Sequence, residues 1–176
     1  KKNNFMIKNY CPNYIVIGGN KSLINAKHKK SKIIKAHNFD YDFIVQEKKN
    51  KKIQKKYKNE YLVFLDDYGP YHPDKIVFNR KPFVTPNKYY SVIDYGLNKI
   101  AKTLNLEIKI AAHPKSNYID KKIKYNQKII KNNTFELIKN SSLVIGHAST
   151  SLQLAVIMEK PIILASTDEI LNESYS

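Results

Sequence analysis

A single cysteine, Cys11, stands in 176 residues. No internal disulfide can form, and a reducing compartment is the simpler expectation. No run of about 18 apolar residues occurs, which argues against a spanning helix. Nor does a charged-then-apolar leader follow Lys1. Neither HExxH nor CxxC is present, so no metal-ligand spacing of those types exists. GxGxxG and Walker patterns are also missing, which leaves a dinucleotide or ATP reading with nothing specific behind it. Arginine is nearly absent: Arg80 alone accompanies 30 lysines. Bidentate reading of bases and phosphates favours arginine, so a sequence-reading nucleic-acid binder is disfavoured.

What is present is a basic, globular composition. Hydrophobic residues make up 42% and the formal net charge is +16. The excess is concentrated at the front. Residues 1–60 hold 16 lysines against Asp40, Asp42, Glu47 and Glu60, giving +12 there and +4 over the rest. Its densest part is "EKKNKKIQKKYKNE" (47–60), which reads as a solvated linker or as a patch for an anionic membrane surface or nucleic acid. The change of pattern places a boundary near residue 58. Residues 1–58 then form the end of an N-terminal domain plus linker, and 59–176 a second domain, both part of a larger protein.

The second part is regular. "YLVFLDD" (61–67) is a continuous apolar run of strand length, as a buried parallel strand reads. "YGPYHPDKIVFNRKPFVTP" (68–86) is an excursion loop whose His72-Pro73-Asp74 reads first as a local turn, with reach to the same sheet rim as the alternative. Thr85-Pro86 starts a helix whose apolar face is Tyr89, Ile93, Leu97, Ile100 and Leu104. "LEIKIAAH" and "QKIIK" are strands, and Thr134 caps a short helix. "SLVIGH" is a strand, 149–160 a helix and 161–167 a strand. This alternation predicts an α/β fold: a Rossmann-like parallel sheet with helices on both faces.

In such a sheet ligands gather beyond the carboxyl ends of the strands. The residues there are Asp66 and Asp67, then His113, Pro114, Lys115 and Ser116, then Gly146, His147, Ser149, Thr150 and Ser151. Gly146 is expected to permit a sharp turn. The three hydroxyls then fall at a helix N-terminus, where unpaired amides and the helix dipole favour an anion such as a phosphate. His113 is positioned by Pro114 to donate to phosphate oxygens or act as an acid, and Lys115 adds charge. One of Asp66 and Asp67 is the candidate base; either can equally cap the following loop.

The set "HPKSNY" (113–118) with "TFELIKNSSLVIGHASTSLQLAVIMEKPIIL" (134–164) resembles the C-terminal, nucleotide-sugar half of GT-B-type glycosyltransferases of bacterial surface polysaccharides and capsules. Bacterial sialyl- and polysialyltransferases carry a similar His-Pro motif and later Ser/Thr pair. The resemblance implies that His113-Pro114 and Ser149-Thr150-Ser151 hold the donor phosphate. It also implies transfer without metal or cofactor, from a nucleotide-activated sugar (CMP-linked among the options) to a glycan or glycolipid acceptor. The implied setting is the cytoplasm, with peripheral contact to the inner membrane through 47–60. Those families carry an acidic pair followed by Gly, and "LDDYG" (65–69) is similar with Tyr68 inserted. A glycerophosphate-type phosphotransferase on the same fold, and a non-catalytic basic module, are the alternative readings.

Overall fold

A computed structural model describes residues 12–18, 30–37, 39–49, 61–78, 82, 84–123, 125–147 and 149–174. The chain divides into two compact units, residues 1–49 and 50–176. The boundary expected near residue 58, Cys11, and residues 50–60 of the basic segment lie outside the described residues.

Among the described residues of the first unit are two parallel strands, β1 (Tyr14–Gly18) and β2 (Lys32–Ala36), paired from Tyr14↔Lys32 to Gly18↔Ala36. Helix α1 (Phe39–Lys49) follows. Asp40 and Asp42 form an Asp-x-Asp spacing, but both occupy the first turn of α1, and Lys48 and Lys49 the last. Acid at the start and base at the end complement the helix dipole, which accounts for these charges.

The second unit is the Rossmann-like α/β domain. Strand β3 (Tyr61–Asp66) is buried at all six positions, as a central parallel strand must be. A 3-10 turn (Gly69–Tyr71) and the short helix α2 (Pro73–Val77) lie within the stretch expected to be loop. Next come α3 (Pro86–Leu104), β4 (Glu107–Ala112), β5 (Lys128–Lys131), α4 (Thr134–Asn140) and β6 (Leu143–Gly146). The unit ends with α5 (Leu152–Ile157), β7 (Ile162–Leu164) and α6 (Asp168–Ser174). The sheet order is β5-β4-β3-β6-β7, and every pairing is parallel.

Alternation along β3 assigns the two faces. Leu62 and Phe64 join Ile108, Ile110, Leu143 and Ile145 in one apolar layer, covered by Tyr89, Tyr90, Ile93, Leu97 and Ala101 of α3. Val63, Leu65 and Val144 point the other way. There α4 and α5 bury Leu137, Ile138, Leu154 and Ala155. Each large side chain so buried stabilises the fold by about 1.5–3 kcal/mol.

Two caps differ from expectation. Thr85 holds the N-cap position of α3, yet its hydroxyl and N–H both donate to the Glu169 carboxylate, at 2.9 and 3.0 Å, tying α6 to the start of α3. Thr134 lies inside α4, and Asn133 takes the position before it. At the far end of α3, Asn105 adopts the left-handed conformation (φ 52°) and returns its N–H to Ala101, a C-cap that Asn tolerates well.

Candidate functional site

Leaving β3 the chain crosses to β4 and β5 on one side, then returns to β6 and β7 on the other. The reversal opens a crevice between the carboxyl ends of β3 and β6, the place where open α/β sheets bind ligands. Asp66 and Gly146 are the last residues of those two strands.

A cleft of about 330 Å³ opens on this rim. Asp67, His113, Lys115, Ser149 and Thr150 line it, together with His72, Pro73 and Asp74 from the excursion loop. The structure thus brings one residue of the acidic pair, the His-Pro element and two of the three hydroxyls around one space. Asp66, Pro114, Ser116, Gly146, His147 and Ser151 are not among the lining residues.

Both histidines are set by the same local device. The Lys115 amide donates to His113 Nδ1 at 3.1 Å, and the Asp74 amide donates to His72 Nδ1 at 3.3 Å. In each case the sequence is His-Pro-X, and the N–H belongs to X. An N–H at Nδ1 needs a lone pair there, so each neutral ring carries its proton on Nε2. The rings stand 5.2 Å apart, edge to face at 62°. Burial, followed by the neighbouring His72, pulls the His113 pKa below the ordinary histidine value, which keeps it neutral at neutral pH. Ser116 donates from both its N–H and its hydroxyl to the His113 carbonyl, at 2.9 and 2.7 Å. It closes the turn rather than facing the cleft.

The acidic pair splits. Asp66 is 3% exposed. Its Oδ1 accepts the Tyr68 amide at 2.9 Å, and its Oδ2 accepts the hydroxyls of Tyr118 at 2.8 Å and Tyr125 at 3.1 Å. Burial raises its pKa to about 6, and these donors hold it from rising further. Burial also raises the phenol pKa values of Tyr118 and Tyr125, so both remain donors. Asp66 is the hub of an aromatic cluster, and Asp67 is the member of the pair that the cleft presents. Tyr68, the residue inserted before Gly69, takes the left-handed conformation (φ 60°, ψ 36°) that glycine adopts freely. Its ring packs against Tyr71 and Tyr118.

The hydroxyl knot is wound more tightly than the sequence suggested. The amides of Leu152, Gln153 and Leu154 donate to the carbonyls of Ser149, Thr150 and Ser151, in i→i+3 bonds of 3.1 Å each. The Ser151 amide donates to Ser149 Oγ at 3.3 Å. The expected fan of free helix amides is therefore consumed by the turn. What faces the cleft from this segment is Ser149 and Thr150.

Gly146 does not make the turn either. It remains paired with Leu65 and Leu164. A Cβ there would meet Leu152 Cδ2 at 3.4 Å and Leu65 Cβ at 3.5 Å, ordinary contact distances where the start of α5 packs on the sheet. His147 is held internally: its ring bonds the Ala165 carbonyl through Nδ1 and the Tyr89 hydroxyl through Nε2, both at 2.8 Å. A carbonyl at Nδ1 requires the proton there, so the Tyr89 hydroxyl donates to Nε2.

Among the described residues no group of three or more His, Cys, Asp or Glu is placed to hold a metal ion. No helix among them is long and apolar enough to cross a membrane. The sequence matches no protein-family model and no curated protein. The fold and rim therefore define the chain at the level of class: a Rossmann-like α/β domain with a polar cleft at its switch point.

Proposed function

We propose that the second unit binds the phosphate of a nucleotide-activated sugar in the switch-point cleft and that the chain is a glycosyltransferase of surface-polysaccharide biosynthesis. One observation carries this reading: His72, His113, Lys115, Ser149 and Thr150 line one cleft beside Asp67. Two Nε2–H donors, two hydroxyls and one ammonium suit phosphate oxygens, and a carboxylate beside them suits a base.

In the proposed reaction an acceptor hydroxyl attacks the anomeric carbon and gives its proton to Asp67. The new C–O bond forms as the bond to the phosphate oxygen breaks, and the electron pair leaves with the phosphate. The donors stabilise the charge that develops on that oxygen. Lys115 supplies the one formal positive charge of the lining, against Asp67 and Asp74. Neutral hydrogen bonds must therefore carry most of the grip. Phosphate binding favours a protonated His113, whose pKa lies below the ordinary histidine value, so affinity is expected to rise only as pH falls below that value.

The test is a thermal-shift screen of the full chain against CMP, CDP, UDP and GDP species and their sugar derivatives. Stabilisation by one of them, lost in His113→Ala, is the expected result. No shift with any species, or a shift that His113→Ala leaves intact, would remove the proposal.

A further inference from the structure

Asp67 and His147 stand on either side of one buried hydroxyl. Asp67 follows β3, His147 follows β6, and Tyr89 lies in the first turn of α3. Tyr89 Oη is 2.8 Å from His147 Nε2 and 3.5 Å from Asp67 Oδ1. Tyr89 is 1% exposed, so bulk water scarcely reaches it. Gly69 closes over the same pair: a Cβ there would meet Asp67 Oδ1 at 3.5 Å and the Tyr89 ring at 3.7 Å. Asp67 lines the switch-point cleft and His147 does not. Tyr89 thus joins an acid that faces the cleft to a histidine held behind it.

A phenol has one proton to donate, and here two acceptors are within its reach. Burial raises the Tyr89 pKa well above the ordinary tyrosine value, so the phenol keeps that proton. While His147 is neutral, its Nδ1–H is on the Ala165 carbonyl and Nε2 is bare, so Tyr89 donates there. Asp67 Oδ1 then meets only the lone pairs of the phenol oxygen. An ionised Asp67 gains nothing from that arrangement, whereas a protonated one can donate to Tyr89. Once His147 is protonated, Nε2–H donates to Tyr89, whose hydroxyl turns to Asp67 and favours the carboxylate. The turn moves one hydrogen and needs no heavy atom to move.

We infer that Tyr89 is a proton switch through which His147 sets the ionisation of Asp67, both Tyr89 and His147 acting as positioning residues outside the cleft. A proton that reaches Asp67 passes to Tyr89 Oη as the Tyr89 proton passes to His147 Nε2. One O–H bond breaks and one forms at Tyr89, the Asp67 O–H bond is lost, and an N–H bond is made on His147. Asp67 returns to the carboxylate, and the positive charge rests on the imidazolium. The inference deepens the glycosyltransferase reading, on which it rests for the role of Asp67, by giving the base somewhere to pass the acceptor's proton.

Other titratable and charged groups also face Asp67. They are Asp66 beside it, His113 and Lys115 after β4, and His72 and Asp74 from the excursion loop. His147 is faced by the Phe64 and Tyr89 rings and the Ala165 carbonyl. A shared proton must therefore be distinguished from a direct effect of charge.

The test is an NMR titration of the full chain with isotope-labelled histidine and no nucleotide. The His147 signals are assigned as those missing from His147→Gln. Asp67→Asn should move the His147 titration midpoint down by about one pH unit, the coupling at which two groups titrate as a pair. In a Tyr89→Phe background the same change should move it no more than about half as far, as a double-mutant cycle reads. Should Tyr89→Phe fail to fold, carboxyl-carbon titration of Asp67 in His147→Gln decides instead. The step that follows His147 in the parent should then vanish. An Asp67→Asn displacement equal in both backgrounds would reduce the link to direct charge and overturn the inference. So would no displacement in either background, or an Asp67 profile that His147→Gln leaves unchanged. Failure of these titrations would leave nucleotide binding in the cleft untouched, and absence of nucleotide binding would leave the shared proton in place.

Discussion

The imidazoles of His72 and His113 meet edge to face with centroids 5.2 Å apart, each with Nδ1 closed by the amide two residues downstream. The two His-Pro turns come from different loops, yet they give the cleft a matched pair of Nε2–H donors. His72 should therefore matter to ligand binding about as much as His113. A hydrogen bond to a charged group contributes about 1.5–3 kcal/mol, so either alanine variant should weaken nucleotide binding roughly tenfold or more. Isothermal titration of His72→Ala and His113→Ala checks this. Unchanged affinity in His72→Ala would restrict the phosphate to the other side of the cleft.

Asp66 reverses the usual dependence of stability on pH. Its folded pKa is raised from 3.8 to about 6, chiefly by burial. Between these values the folded carboxyl holds its proton while the unfolded one has lost it. The folded state thus binds more protons in this window, and stability falls as pH rises across it. A shift of this size corresponds to roughly 3 kcal/mol. Asp66→Asn should remove that slope, because it carries no titrating proton while its oxygen still accepts the Tyr68 amide. Urea unfolding at several pH values between about 4 and 7 measures the difference in slope.

The sheet was legible because central parallel strands announce themselves. "YLVFLDD", "LEIKIAAH" and "SLVIGH" are short and β-rich, the first and last are buried on both faces, and their positions agree with β3, β4 and β6 to within a residue or two. The carboxyl-end rim was legible from topology, and Asp67, His113, Lys115, Ser149 and Thr150 line one cleft there. Other features depended on contacts distant in sequence. Asp66 and Asp67 look equivalent until Tyr118 and Tyr125 fold back over one of them. His147 reads as a ligand-facing residue until Ala165 and Tyr89 occupy its two nitrogens. Thr85 looks like a cap until Glu169, 84 residues away, takes its hydroxyl. The His-Pro dipeptide at 72–73, repeated at 113–114, was the one local sign that the excursion loop returns to the rim.

Gly146 separates two explanations of a glycine. A turn requiring positive φ would make alanine costly, whereas here a Cβ meets its neighbours at 3.4 Å and 3.5 Å, ordinary contact distances. Gly146→Ala should change stability by less than about 1 kcal/mol. Gly146→Val pushes branched methyls into Leu152 and Leu65 and should destabilise by about 1–3 kcal/mol, as overpacking does. Thermal unfolding of both variants decides the matter, and an alanine as damaging as the valine would return Gly146 to a backbone role.

Ser149 and Thr150 carry different loads, although both line the cleft. Ser149 Oγ accepts the Ser151 amide, so Ser149→Ala removes a turn-closing bond as well as a ligand-facing hydroxyl. It should lower stability by about 1 kcal/mol, the ordinary cost of losing such a cap. Thr150 is exposed, and Thr150→Val keeps its shape and β-branching while deleting only the hydroxyl. Its stability should stay within about 0.5 kcal/mol of the parent, as is usual at the surface. If both hydroxyls reach the phosphate, the two variants should lose nucleotide affinity to a similar extent, while only Ser149→Ala melts earlier. Paired measurements of melting temperature and nucleotide Kd separate the two effects. Full affinity in Thr150→Val would mean that the phosphate sits on the histidine side of the cleft, with Ser149 acting only to close its turn.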